Sequence, residues 1–285
     1  MTATTSYLIN KVMFTENREI GFIIAGSQKC GTSWLEYNLS IQNNIYMPNR
    51  QMNLFPGNND TRLQLCVKRN ISRKSKFIGE KTVEYCLDPA LTGLCSWLQL
   101  NPNNKAIFVF REPMSRLISA VNHLVYSGNI YPFKNLSDLI YQQNLLMKFG
   151  VLEFSNYPKI VKTLKFNQVL KQCLILKFEK DIVQNQFHTI ETCLNFIGAS
   201  VREIKLDKAA RKNQKLSRAA SRINSYLLGV KRMRKIVDLV DNVIGGSKYE
   251  IYNDKLGKHF FREKLNQFEW KYLEKETGIV FNECN

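Results

Sequence analysis

The stretch from Glu19 to Trp34, EIGFIIAGSQKCGTSW, constrains the fold of this chain more than any other. An apolar β-type run, Gly21 to Ala25, enters a loop bounded by Gly26 and Gly31, and the loop opens a helix. Strand, loop and helix in that order form a phosphate cradle, with backbone N–H groups and a helix N-terminus aimed at an anion. The spacing Gly26-x-x-x-x-Gly31 fits the first half of a nucleotide P-loop. The second half differs. Thr32 stands where a P-loop carries lysine, and the lysine lies inside the loop as Lys29. The displacement moves the expectation from a nucleoside triphosphatase to another phosphate-bearing cofactor.

A second stretch, Lys105 to His123, reads KAIFVFREPMSRLISAVNH. Ala106 to Phe110 has the β-branched and aromatic run of a buried strand. A Mg²⁺-dependent P-loop enzyme needs a carboxylate at the end of a neighbouring strand. Here the strand ends in Arg111, which repels a metal and forks onto phosphate oxygens. Glu112 and Pro113 then open a helix, with Ser115, Arg116 and Ser119 at helical spacing.

These residues resemble those of sulfotransferases that use 3′-phosphoadenosine 5′-phosphosulfate (PAPS). Ser27-Gln28-Lys29-Cys30-Gly31-Thr32-Ser33-Trp34 resembles the family's loop for the 5′-phosphosulfate, and Arg111 with Ser119 its pair for the 3′-phosphate. Gly79 to Tyr85, GEKTVEY, is similar to the E-K-T-x-x-Y segment of the heparan-type and bacterial branch. Leu176 to Asp181, LKFEKD, resembles the short strand and acidic turn that follow there. The resemblance runs from about Gly21 to the C-terminus. It implies an α/β fold with a P-loop-like parallel sheet flanked by helices. The basic C-terminal half is expected to be a helical elaboration, with residues 1–19 an N-terminal extension and 20–285 the sulfotransferase domain.

Composition bounds the reading. An apolar fraction of 44% over 285 residues is enough for a sizeable core. No run approaches the roughly 18 apolar residues of a membrane span. The N-terminal segment lacks a basic region followed by an apolar core, so no signal peptide is expected. Seven cysteines without a C-x-x-C pair suggest reduced thiols and a cytoplasmic setting. The Asn-x-Ser/Thr triplets at Asn38, Asn59, Asn70 and Asn135 are expected to be chance. Forty-one basic against 24 acidic residues leave +17, which favours an anionic partner. Lys205 to Lys235 alone holds eleven Lys or Arg and one acid, Asp207. That run is either a solvated face or a binding surface.

Four strands are expected, at Ile20–Ala25, Phe77–Gly79, Lys105–Phe110 and Cys173–Phe178, separated by helical patterns. Helices are expected at Gly31–Gln42, Pro89–Leu98, Pro113–Tyr126, Leu136–Phe149, Asn156–Phe166, Asn185–Ile197 and Gly257–Glu274. Asp88-Pro89 reads as an N-cap followed by a first-turn proline. Pro48 to Arg73 reads as loop, with Pro56-Gly57 as a turn.

Sulfuryl transfer needs positioning and electrostatics more than covalent chemistry. The resemblance implies in-line transfer without a metal, to a hydroxyl or amine acceptor. That acceptor is expected on a carbohydrate or glycoconjugate, with an anionic glycan or a lipid among the candidates and no specific nucleic acid as partner. Lys29 is placed to stabilise the leaving phosphate. Ser27, Gln28, Cys30, Gly31, Thr32 and Ser33 complete the 5′-side cradle, and Arg111 and Ser119 bind the 3′-phosphate. Lys215 and Arg218, in RKNQKLSR, resemble the loop that closes over the nucleotide. Each has a plainer alternative. Lys29 is otherwise a turn lysine, Arg111 a partner of Glu112, and Ser119 a helix serine bonded to its own backbone.

The general base is open. Gln51, in NRQMNLF, stands where the branch carries its glutamate, and an amide takes no proton at neutral pH. Glu80 and His123 are the substitutes. Glu80 is otherwise the ion-pair partner of Lys81 or Arg111, and His123 a helix histidine with no chemical role. Gln51 and Lys81 are expected to face the acceptor. His188 and His259 read as structural. Two rival readings remain: a P-loop kinase or NTPase, and a non-catalytic binder of anionic glycan or nucleotide on a degenerate sulfotransferase fold.

Overall fold

Strands buried on both faces are written as unbroken apolar runs, and two such runs form the centre of this protein. The computed structural model describes residues 14–15, 18–48, 51–55, 76–201, 203–208 and 251–281. A short antiparallel hairpin, β1 (Phe14–Thr15) and β2 (Arg18–Glu19), precedes the main sheet. The sheet comprises β3 (Phe22–Gly26), β4 (Ile45–Tyr46), β5 (Phe77–Lys81), β6 (Lys105–Phe110) and β7 (Cys173–Lys177). Its order is β4-β5-β3-β6-β7, and every pairing is parallel. Every residue of β3 is buried, as are Ala106 to Phe110 of β6. Gly79 lets β5 pass β3 closely, because a Cβ there would lie 2.1 Å from the Phe22 ring.

Helices connect the strands: α1 (Thr32–Ser40), α2 (Ala90–Leu100), α3 (Pro113–Tyr126), α4 (Gln143–Lys148), α5 (Tyr157–Phe166), α6 (Gln186–Ile197), α7 (Lys255–Asn266) and α8 (Trp270–Thr277). The contacts divide the chain into two units. The first holds residues 1–111, 157–211 and 271–280, and the second 112–156, 212–270 and 281–285. In the first unit one face of the sheet presents Phe22, Ile24, Ile107, Val109 and Leu176. These pack on Leu35 and Leu39 of α1 and on Ile190, Cys193 and Leu194 of α6. The pleat turns Ala106, Phe108 and Phe110 to the opposite face, where Phe110 stacks on Tyr157 of α5. The second unit has its own core of Leu117, Val121 and Leu124 of α3 with Leu136, Leu139, Phe261 and Leu265. Arg116 is fully buried there, donating to Ser155 Oγ at 2.6 Å and to Val151 O.

Several expectations are corrected. The edge strand β4 has two residues, too short for a pattern to register. Asp88 does not cap α2. Pro89 occupies the cap position with no side-chain bond to the helix, and Asp88 accepts from Thr92 Oγ1 at 3.2 Å. The expected helix Leu136–Phe149 is a 3₁₀ segment, Leu136–Gln142, followed by the short α4. The expected final helix breaks in two, because the chain turns at 267–269. Trp270 there donates its indole N–H to Leu265 O at 2.8 Å. Asn38 is buried on α1, with its side chain bonded to Trp34 O and to Asp207. The turn at Pro56-Gly57, the triplets at Asn59 and Asn70, and residues 209–235 of the basic stretch lie outside the described residues.

Candidate functional site

The chain passes from β3 to β4 and β5 on one side, then crosses back to place β6 on the other. The order therefore reverses between β3 and β6. In open parallel sheets the crevice at such a reversal, beyond the carboxyl ends of the strands, is where ligands bind. Gly26 to Gly31 follows one of these strand ends, and Arg111 the other.

The loop turns twice through left-handed backbone. Lys29 has φ 65° and Gly31 φ 86°. At Gly31 any side chain is strained and crowded, because a Cβ would stand 2.8 Å from the Phe178 ring. Gly31 occupies the N-cap of α1, so no side chain caps that helix. The first-turn N–H groups of Thr32 and Ser33 have no intrahelical acceptor. Ser27 N donates to Val109 O at 2.8 Å, tying the loop to β6.

Lys29 and Arg111 meet here. Arg111 Nη1 donates to Lys29 O at 3.2 Å, and its guanidinium lies over the Phe178 ring at 4.7 Å. Burial first, and Arg111 second, push the Lys29 ammonium below its ordinary pKa. Among the described residues of this unit no carboxylate is ion-paired with either cation. Arg111 Nε is buried with no hydrogen-bond partner among the described residues. Two cations with no described carboxylate partner in their unit, and a buried donor with none described, beside a helix N-terminus without a side-chain cap, form a site that suits an anion.

The segment 51–55 is pinned over the end of β5. Met52 N donates to Glu80 Oε1 at 3.1 Å, Asn53 N to Thr82 Oγ1 at 3.2 Å, and Leu54 N to Tyr85 Oη at 2.7 Å. Gln51 Oε1 accepts from Val83 N at 3.0 Å. Val83 O is in turn close to Gly26, 2.9 Å from where a Cβ would stand. Glu80 is fully buried, and its Oε1 also accepts from Thr82 Oγ1 and, at 3.3 Å, from Tyr85 Oη. Burial pushes its carboxyl up to about 7 against the pull of those bonds, and burial and Glu80 push the Tyr85 phenol up. Lys81 pairs with Glu36 of α1 at 2.8 Å, not with Glu80, and its Nζ lies 3.4 Å from Ser33 Oγ.

The first unit thus brings together Ser27 to Ser33, Arg111, Glu80, Lys81 and Gln51. Ser119 and His123 lie on α3, in the second unit. Lys215 and Arg218 lie outside the described residues. His188 and His259 are exposed and sit beside Glu191 and Glu263 on their own helices. Among the described residues no group of three or more His, Cys, Asp or Glu is placed to hold a metal ion. No described helix is long and apolar enough to cross a membrane. Sequence reasoning missed Phe178, Tyr157 and Glu36. A Gly after a loop lysine signals that something packs against it, but nothing local names the ring.

Fold and loop together define an α/β protein of the P-loop-like type, with lysine inside the loop and arginine at the neighbouring strand end. The sulfotransferase domain model matches residues 20–236, and the chain belongs to the sulfotransferase family. A search of curated proteins by sequence finds no match. Among solved structures, a sulfotransferase from Alicyclobacillus acidocaldarius is similar in fold. Its TM-score is 0.57 at 19% identity, over 78% of this chain and 96% of that one. The family match does not specify the heparan-type branch.

Proposed function

We propose that this protein transfers a sulfuryl group from PAPS to a hydroxyl or amine acceptor, probed first among carbohydrates and glycoconjugates. The observation that carries the reading is the pair Lys29 and Arg111, half-buried side by side with no counter-ion described in their unit. When bound, PAPS supplies an activated sulfuryl group and a phosphate leaving group. Gly31, Thr32 and Ser33 offer N–H groups to the 5′-phosphate, with Ser27, Gln28 and Cys30 shaping the loop. Lys29 stabilises the charge that builds on the leaving oxygen, a term present only in the transition state. Arg111, with Ser119, holds the 3′-phosphate, and Lys215 and Arg218 are the candidates for closing over it.

Glu80 and His123 are the two candidates for taking the acceptor proton. Glu80 ionises near neutrality, as a base at that pH should. Gln51 and Lys81 are the acceptor-side residues, and Gln51 keeps its oxygen on Val83 N. The reading takes 20–285 as the catalytic domain, a metal-free reaction and a cytoplasmic setting. Seven cysteines without a C-x-x-C pair support the last. The test is cofactor binding and turnover. Adenosine 3′,5′-bisphosphate should raise the melting temperature by mass action, and ATP much less. Lys29→Ala should lower kcat by about a hundredfold or more with little change in cofactor affinity. Equal shifts from both nucleotides, or near-normal turnover by Lys29→Ala, would refute it.

A further inference from the structure

Arg111 stands one residue past the last paired residue of β6, so its own N–H and C=O leave the ladder. One side chain takes up both. The Tyr157 hydroxyl donates to Arg111 O at 2.9 Å and receives Arg111 N at 3.3 Å. The same oxygen lies 3.7 Å from Cys30 Sγ, inside the anion loop. The ring of Tyr157 stacks on Phe110 with centroids 4.2 Å apart and planes 11° apart. Tyr157 is fully buried at the first residue of α5. A helix start thus holds its backbone and an aromatic stack holds its ring.

A buried tyrosine ordinarily needs one partner for its hydroxyl. This one fixes both polar groups of a single residue and touches a loop 127 positions away. A long side chain swings its tip by more than its backbone moves, so the aim of the guanidinium depends on how firmly the Arg111 backbone is held. We propose that Tyr157 is a positioning residue of the anion site. Its hydroxyl sets the backbone of Arg111, and so the aim of the guanidinium over Phe178 beside Lys29. The role, though not the geometry, rests on the reading of Arg111 as a ligand of the cofactor's 3′-phosphate.

The test is Tyr157→Phe in the full chain, which keeps the ring and its stack and removes one oxygen. Without nucleotide, hydrogen exchange at the Arg111 amide should quicken about tenfold, the scale of one net hydrogen bond. Calorimetry should show adenosine 3′,5′-bisphosphate binding about tenfold more weakly. Adenosine 5′-monophosphate, which lacks the 3′-phosphate, should bind both proteins alike. Tyr157→Phe with Arg111→Ala should bind the bisphosphate no more weakly than Arg111→Ala alone, because the tyrosine acts through the arginine. Unchanged exchange at Arg111, unchanged bisphosphate affinity, or additive losses in the double variant would each overturn the proposal. If the unaltered protein binds no bisphosphate, the cofactor reading fails, and exchange at Arg111 decides the tyrosine's hold by itself.

Discussion

Replacing Glu80 by glutamine should change how stability depends on pH, and the size of the change follows from the site. Glu80 lies in β5 with no exposed surface, and its Oε2 is buried without a partner among the described residues. Burial raises its pKa from 4.5 to about 7, the bonds from Thr82, Met52 and Tyr85 holding it from rising further. Between those values the folded protein keeps a proton that the unfolded chain has released. Stability therefore falls as pH rises through that window and levels off above about 7. The fall is about 3 kcal/mol, from about 2.5 pK units at ~1.4 kcal/mol each. Glu80→Gln is neutral throughout and has no such fall. At pH 4.5 the variant should be the less stable protein. Its amide brings two N–H donors to the place where the protonated acid brings one O–H, and the extra unpaired donor costs about 1–3 kcal/mol. By pH 8 the difference should have moved about 3 kcal/mol in the variant's favour. Urea unfolding of both proteins at half-unit steps from pH 4.5 to 8 measures this, with equal m-values as the check on two-state behaviour. A difference that stays flat with pH, or grows in favour of the unaltered protein, would refute the reasoning.

Gly31→Ala should cost about 1–3 kcal/mol, because φ 86° strains any Cβ and the Phe178 ring stands 2.8 Å away. Denaturant melts read the cost, and bisphosphate titration should show weakened binding; an unchanged melt would count against this account of the loop. Glu36→Gln leaves the mostly buried Lys81 ammonium without its counter-charge and should cost about 3 kcal/mol. Adding Lys81→Met should recover part of that loss, and an additive loss in the double variant would show that the pair is not the cause. Gln51→Glu keeps an oxygen for Val83 N and should leave the melt unchanged while raising initial rates at neutral pH. Unchanged rates would place the base elsewhere and leave Glu80→Gln and His123→Asn to decide it.

The central strands were legible because they are buried on both faces, so Phe22 to Ala25 and Ala106 to Phe110 admit little but apolar residues. The loop was legible for a similar reason: its glycines and displaced lysine are local chemistry at short spacing, and Arg111 is marked by the strand it ends. Helix α3 opened at Pro113 as expected, because a first-turn proline acts on its own neighbours. What failed depends on distant partners. The two-residue β4 exists only because β5 accepts it as an edge. Asp88 leaves the cap position to Pro89 and turns one oxygen to Lys159 of α5, 3.0 Å away. The break before Trp270 is the local exception, its indole bonding Leu265 O five residues back.

The site divides along the same line. Sequence alone determined that a cradle with Lys29 and Arg111 at two strand ends should exist, since each residue is written beside its own strand. Only the tertiary structure decided how the two are held. Parallel pairing of β3 and β6 sets the strand ends side by side. It also decided that Phe178 would close over Gly31 and Arg111, and that Lys81 would turn to Glu36. The Tyr157 hydroxyl, 46 residues from Arg111 and 127 from Cys30, ties both. No local pattern records such contacts, because they are fixed by which helix packs on which strand.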